Sequence, residues 1–148
     1  MRSIVGWYQQ VPNDNLDKTQ FGWEIDPIGL RNTLWETYER YRLPIIITES
    51  GIGGYDELDK NNEVNDDYRI KYYQDHLLQL KLALNDGVQI FGYNPWSAFD
   101  LVSTHEGIKK RYGFVFINRT DEKINDLKRY RKKVLTDIQK LSPIVVKI

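Results

Sequence analysis

Apolar and polar residues change period along this chain, and the changes mark its elements. Leu30, Leu34, Tyr38 and Tyr41 fall three or four apart, the spacing of one helical face. Asp26-Pro27 predicts its start, since Asp can cap free amides and Pro fits the first helical position. Pro44 ends that helix and opens Ile45-Ile46-Ile47-Thr48-Glu49, a short apolar run typical of a strand buried on both sides. Gly51, Gly53 and Gly54 then predict a flexible loop, followed by a polar acidic stretch to Asp67. A second stripe, Ile70, Tyr73, Leu77, Leu80 and Leu84, predicts a helix from about Asp66 to Asn85, with Gly87 as its terminator. Val88 to Tyr93 reads as the next strand. Pro95-Trp96 begins a long loop to Arg111, Tyr112 to Ile117 is extended, and Thr120-Asp121-Glu122 is a turn. A last helix is expected from near Asp126, through Leu127, Tyr130 and Val134. Residues 1–25 show no sustained period and read as loop.

The order helix, strand, helix, strand, helix argues for a parallel α/β sheet with crossover connections. Two parallel strands cannot hide their own edges, so the pattern asks for more strands than the chain contains. At 148 residues the chain has room for one domain with a core. Twenty-one basic residues balance twenty-one acidic ones, which leaves no net field for nucleic acid or an anionic membrane. The absence of cysteine excludes disulfides and thiolate metal sites. No stretch approaches the length of a membrane span, and MRSIVGWYQQVPND lacks a signal-peptide core, so a cytoplasmic protein is expected. Aromatics make up 13%; such rings suit sugar-stacking faces as well as ordinary cores.

A carboxylate closing an isoleucine strand is unusual. An unpaired buried charge is expensive, so Glu49 should sit at the strand's C-terminal end, where parallel α/β folds bind ligands. A strand-end glutamate paired with a nearby cation, as scaffolding, is an equal alternative on the pattern alone. Trp96 could equally be a core indole, and Ser103, Lys110 and Tyr112, taken unaided, read as solvated loop.

The motifs themselves weigh on one side. Ile47-Thr48-Glu49-Ser50-Gly51 resembles the I/V-T-E-N-G motif of glycoside hydrolase family 1, with Ser50 where Asn is usual. Gly92-Tyr93-Asn94-Pro95-Trp96-Ser97 resembles that family's G-Y-x-P-W-S. Ordinary β-glucosidases then read like L-D-N-F-E-W, whose Glu holds sugar hydroxyls; here Phe99-Asp100-Leu101-Val102-Ser103-Thr104 puts Ser103 in its place. The Ser103, Lys110, Tyr112 spacing resembles the phosphate clamp of the 6-phospho-β-glucosidase branch. There Lys supplies charge while Ser and Tyr supply directed donors. Thr104 stands where phosphogalactosidases tend to have Trp, which leans towards glucosides. Phe21 to Arg31, Asn65 to Ile70 and Leu127 to Tyr130 also resemble family stretches, so the likeness covers roughly residues 11 to 133 of this chain.

The resemblance implies the C-terminal portion of a TIM (β/α)8 barrel, about strands seven and eight with their flanking helices. It implies Glu49 as nucleophile of a retaining 6-phospho-β-glucosidase, Trp96 as the floor of the sugar subsite, and Ser103, Lys110 and Tyr112 on the phosphate. The substrate would be a 6-phosphorylated β-glucoside, with no metal or organic cofactor. The family's acid/base motif, T-x-N-E-P, is not found in this chain, and Glu106 reads as a solvated loop residue. Met1 falls within what would be the loop after strand six. Residues 26–133 are family-like, and 134–148 are expected to be out of frame. With one choice of codons, Gln139 to Lys147 read two bases on yields the family's K-V-I-A-N-S-G-E ending. Three states are compatible with this: an inactive remnant, one half of a split enzyme docking on an N-terminal fragment, or a binding module that keeps only the clamp.

Overall fold

A computed structural model describes residues 11–138. Its elements are α1 (Pro27–Tyr41), β1 (Ile45–Ser50), α2 (Asp67–Asn85), β2 (Ile90–Pro95), β3 (Val115–Ile117) and β4 (Arg129–Arg131); residues 133–138 are helical. β1 and β2 pair in parallel across a crossover that contains α2, the unit the alternation predicts. α1 starts as its sequence directs, with the Asp26 carboxylate accepting from the Gly29 N–H at 2.8 Å. α2 stops before Gly87, which takes a φ of 94°.

Two apolar clusters hold these elements together. Leu34 of α1 and Leu80 and Ala83 of α2 pack with Val88 and Ile90, and Ile45 and Ile47 close against them. Ile70, Tyr73 and Leu77, on a neighbouring face of α2, pack with Phe114 and Val134. Tyr93 touches both clusters, so β2 is the seam between them.

Four expectations need correction. β1 is not buried on both sides: Ile45 and Ile47 meet the helices, but Ile46 is 42% exposed, because helices cover one face of a sheet that has only two strands among the described residues. Tyr41 lies outside the α1 stripe, exposed. The Gly51–Gly54 loop is not flexible, for Ile52, Gly53 and Gly54 are buried, and Gly54 and Arg111 exchange both backbone hydrogen bonds at 3.0 Å. The last helix does not begin near Asp126. Asn125 and Leu127 have φ of 50° and 54°, left-handed values that no helix tolerates, and Asp126 turns back to accept from Asn118 and the Lys128 N–H. The chain instead returns as β4, antiparallel to β3, with Leu127 in the turn and Tyr130 in the strand. Of the segment expected to be out of frame, residues 139–148 lie outside the described residues.

Candidate functional site

The C-terminal end of β1 is irregular. Ile47 stands opposite Tyr93 and Ser50 opposite Pro95, so three steps on β1 match two on β2 and one residue is extra. Strict alternation would turn Glu49 to the helix-packed face with Ile45 and Ile47; a bulge re-aims the side chain. Glu49 is exposed, and no hydrogen bond or ion pair ties its carboxylate to a described residue. The scaffold alternative therefore has no partner among them.

Ser50, the next residue, is held from three sides. Its hydroxyl accepts from the Tyr93 hydroxyl at 2.9 Å and lies 3.5 Å from that of Tyr72. Its carbonyl accepts from the Trp96 N–H at 2.7 Å and the Tyr73 hydroxyl at 3.1 Å. Burial pushes all three phenols above the ordinary tyrosine pKa, which keeps them protonated as donors. Gly51 follows, where any Cβ would collide with the Trp96 carbonyl oxygen. The strand end that carries Glu49 is thus joined directly to Trp96, whose indole is 37% exposed.

The segment after Trp96 leaves and returns as a zipped loop. Ser97 and Tyr112, Ser97 and Phe114, and Asp100 and Val115 are joined by backbone hydrogen bonds of 2.9–3.3 Å. At the tip Ser103 and Gly107 exchange two more. Lys110, on the returning arm, is only 3% exposed. Its Nζ lies 3.6 Å from the Trp23 ring centroid, 4.7 Å from Phe21 and 5.6 Å from Tyr112. It has no carboxylate or other acceptor among the described residues. Gly53 makes room for the stem: a Cβ there would come within 2.7 Å of Lys110 Cγ and 2.9 Å of Tyr112 Cε1. Lys110 and Tyr112 are therefore together, while the Ser103 hydroxyl shares their loop without touching either. An ammonium held by ring faces keeps its charge available to an anion.

Residues 4–141 match the family described as Glycosyl hydrolase family 1. The chain belongs to that family. It is similar to a 6-phospho-beta-glucosidase of Clostridium longisporum, 49% identical in an alignment of 128 positions that covers 83% of this chain and 27% of the relative. An aryl-phospho-beta-D-glucosidase, BglC, of Bacillus subtilis is 46% identical, over 88% of this chain and 27% of its own. A 6-phospho-beta-galactosidase of Leptotrichia buccalis is 35% identical, with 88% and 27% covered. A solved family 1 β-glucosidase from Thermotoga maritima superposes with a TM-score of 0.82 at 32% identity, over 90% of this chain and 29% of that one. The chain thus spans about a quarter of the length of the relatives it matches, and its fold is part of a family 1 TIM barrel.

One part of this family 1 site was not legible in the sequence. Six buried charges alternate in sign: Asp66, Arg69, Asp56, Lys132, Asp100 and Arg111. Arg69 reaches Asp66 at 2.7 Å and Asp56 at 2.8 Å. Lys132 reaches Asp56 and Asp100, both at 2.6 Å, and Arg111 reaches Asp100 at 2.8 Å. The Asp100 carboxylate also accepts from the Gly113 N–H at 3.0 Å, and Arg69 donates to the Arg111 carbonyl at 2.8 Å. The chain of charges clamps the base of the loop bearing Ser103, Lys110 and Tyr112 onto α2 and the segment after Gly54. Burial raises the pKa of Asp66, and burial, then the Arg69 charge, lowers that of Lys132. Asp66 and Arg69 fell within a family-like stretch, but no periodicity marks Asp56 and Lys132 as partners 76 residues apart. Glu106 pairs with Lys109 at 3.6 Å on the surface. Among the described residues no cluster of metal-binding side chains occurs, and no helix is long and apolar enough to cross a membrane.

Proposed function

We propose that this chain is the strand-seven and strand-eight portion of a retaining 6-phospho-β-glucosidase barrel, with β1 and β2 as those strands. Glu49 is the nucleophile: its carboxylate attacks the anomeric carbon, the glycosidic bond breaks, and water later resolves the glycosyl ester. Trp96 is the floor under the sugar ring. Lys110 supplies the charge for the 6-phosphate, with Ser103 and Tyr112 as hydroxyl donors. The observation that carries this reading is Lys110, buried with its ammonium among aromatic rings and with no carboxylate among the described residues to neutralise it. The printed names of the relatives at 49% and 46% identity support a glucoside over a galactoside.

Catalysis also needs an acid/base carboxylate, about 5 Å from the nucleophile in a retaining enzyme. This chain carries no T-x-N-E-P segment, and Glu106 is tied to Lys109. The chain alone is therefore expected to be inactive, and a split enzyme is the second reading. The exposed Ile46 on the uncovered face of the β1–β2 sheet favours it, since an apolar sheet face is a surface for further barrel elements. The test is hydrolysis of an aryl β-glucoside 6-phosphate by the chain, alone and mixed with the N-terminal three quarters of a relative. Turnover only in the mixture, abolished by Glu49→Gln, is expected. A mixture without turnover that still binds glucose 6-phosphate would leave a non-catalytic sugar-phosphate module. Glu49-dependent turnover by the chain alone would refute the need for a second fragment.

A further inference from the structure

We propose that Trp23 is a positioning and specificity residue of the anion subsite: its ring holds the Lys110 ammonium in place without neutralising it, so that the site favours a 6-phosphorylated sugar over a neutral one. This rests on the reading of Ser103, Lys110 and Tyr112 as the sugar-phosphate subsite.

A nearly buried ammonium requires compensation for its lost hydration. The usual device is a carboxylate, and three buried carboxylates occur in the adjoining charge chain, at Asp56, Asp66 and Asp100. Each is occupied by Arg69, Arg111 or Lys132, and Lys110 is bonded to none of them. Of the three described rings around its ammonium, the indole face of Trp23 is the nearest, with its centroid at 3.6 Å. Indole is the strongest of the side-chain partners for a cation. A carboxylate in that position would repel a phosphate dianion or have to be displaced by it. A ring face does neither.

The box is built from a different part of the chain than the clamp loop, which makes it a positioning element rather than a neighbour in sequence. Trp23 sits on a tight turn in which its N–H donates to the Thr19 hydroxyl at 3.0 Å and its carbonyl accepts from the Thr19 N–H at 2.7 Å. Lys18 and Glu24 bridge the ends of that turn. Phe21, on the same turn, packs its ring against that of Tyr55 at a tilt, with centroids 4.6 Å apart, and Tyr55 donates its N–H to the Gln20 side chain at 2.7 Å. The turn is thereby docked on the segment after Gly54, which itself pairs with Arg111. Lys110 is fixed at its backbone by that pairing, along its stem by the close approach of Gly53, and at its head by Trp23. Removing the ring returns rotational freedom and water to the ammonium, and both must be surrendered again when the phosphate arrives.

The experiment is calorimetric titration of the 148-residue chain with glucose 6-phosphate and with glucose, comparing the unsubstituted chain, Trp23→Leu, Trp23→Phe and Lys110→Ala. Trp23 is 58% exposed, so Leu is accommodated without a core cavity, and circular dichroism checks the fold. Trp23→Leu is expected to weaken glucose 6-phosphate binding about fivefold, the cost of immobilising one long side chain. Glucose binding should not change, and Trp23→Phe should recover most of the loss because it restores a ring face. Phe21→Leu probes the same box from its half-buried wall and should act in the same direction. If Trp23→Leu and Phe21→Leu bind glucose 6-phosphate as the unsubstituted chain does while Lys110→Ala does not, the positioning inference falls and the subsite stands. If Lys110→Ala binds normally, or the unsubstituted chain shows no binding, the subsite reading falls and the inference with it. Equal weakening of glucose and glucose 6-phosphate would show a merely structural role and would overturn the proposal.

Discussion

Replacing Lys132 by Met tests whether the alternating charges hold the site loops. Lys132 is 1% exposed, and its ammonium bridges Asp56 and Asp100 at 2.6 Å each. Met fills most of the stem's volume, so the change is chiefly electrical: three buried carboxylates are left against two guanidinium groups. Breaking a buried pair by removing one partner costs about 3–5 kcal/mol. That is a large share of the roughly 5–15 kcal/mol that stabilises a domain. At about 2–4 °C per kcal/mol for a chain of this size, the melting midpoint should fall by roughly 6–20 °C. Thermal unfolding followed by circular dichroism measures that shift, and in urea a shifted midpoint with unchanged slope is the signature of lost stability. The sign of the pH effect is a second check. An uncompensated buried carboxylate has a raised folded-state pKa, so the stability it contributes is present at low pH and lost as pH rises. Lys132→Met should therefore be least damaging under acidic conditions. Adding Asp100→Asn should return part of the loss, since neighbouring charges couple by about 0.5–3 kcal/mol. A loss below about 1 kcal/mol for Lys132→Met, independent of pH, would refute the argument and assign the loops to the apolar clusters.

Three further outcomes follow from local geometry. His76 is buried, stacked on Tyr72 and bonded through Nδ1 to the Tyr72 carbonyl, and burial lowers its pKa below 6.5. The unfolded chain then takes up a proton that the folded chain refuses, so stability falls as pH drops below 6.5, by up to about 1.4 kcal/mol per unit; His76→Gln should flatten that slope in urea midpoints, and parallel slopes would disprove it. Gly53→Ala puts a methyl 2.7 Å from Lys110 Cγ, so it should weaken glucose 6-phosphate binding in calorimetry more than it lowers the melting temperature. Ser50→Ala leaves the half-buried Tyr93 hydroxyl without its acceptor, which should cost about 1–3 kcal/mol in urea unfolding; a neutral effect would mean that water reaches the phenol.

The legible parts were those governed by local rules. Asp26-Pro27 specifies a helix start through one cap and one φ value, and α1 begins there. The stripe of Ile70, Tyr73, Leu77 and Leu80 is read from period alone, and α2 buries all four. The short sheet was legible as parallel, but not its bulge at Thr48–Ser50, which depends on how two strands slip against each other. Gly51 and Gly53 look like flexibility in sequence because close approach and freedom of φ use the same residue. The β3–β4 pairing was missed because Leu127, Tyr130 and Val134 have helical spacing, while the left-handed turn at Asn125 and Leu127 carries no strong glycine signal. Least legible were the three long-range ion pairs of that network, whose partners are 13, 32 and 76 residues apart and whose residue types usually signal solvent.

The polar interior also explains how two short exit loops can be set against each other. The end of β1 and the end of β2 are joined at Ser50 and Trp96, but beyond that point neither loop has an apolar face long enough to define its course. What continues is a ladder of specific bonds: Gly54 to Arg111 through the backbone, Arg69 to the Arg111 carbonyl, and Asp100 to Gly113. Apolar packing is non-directional and tolerates sliding, whereas paired charges at 2.6–2.8 Å permit one arrangement. On the proposed reading, the Glu49 carboxylate and the Lys110 ammonium act on one sugar and must keep a fixed separation. A directional interior supplies that fixity where the core runs out, and disrupting it should alter sugar-phosphate affinity before it alters the packing of α1 on α2.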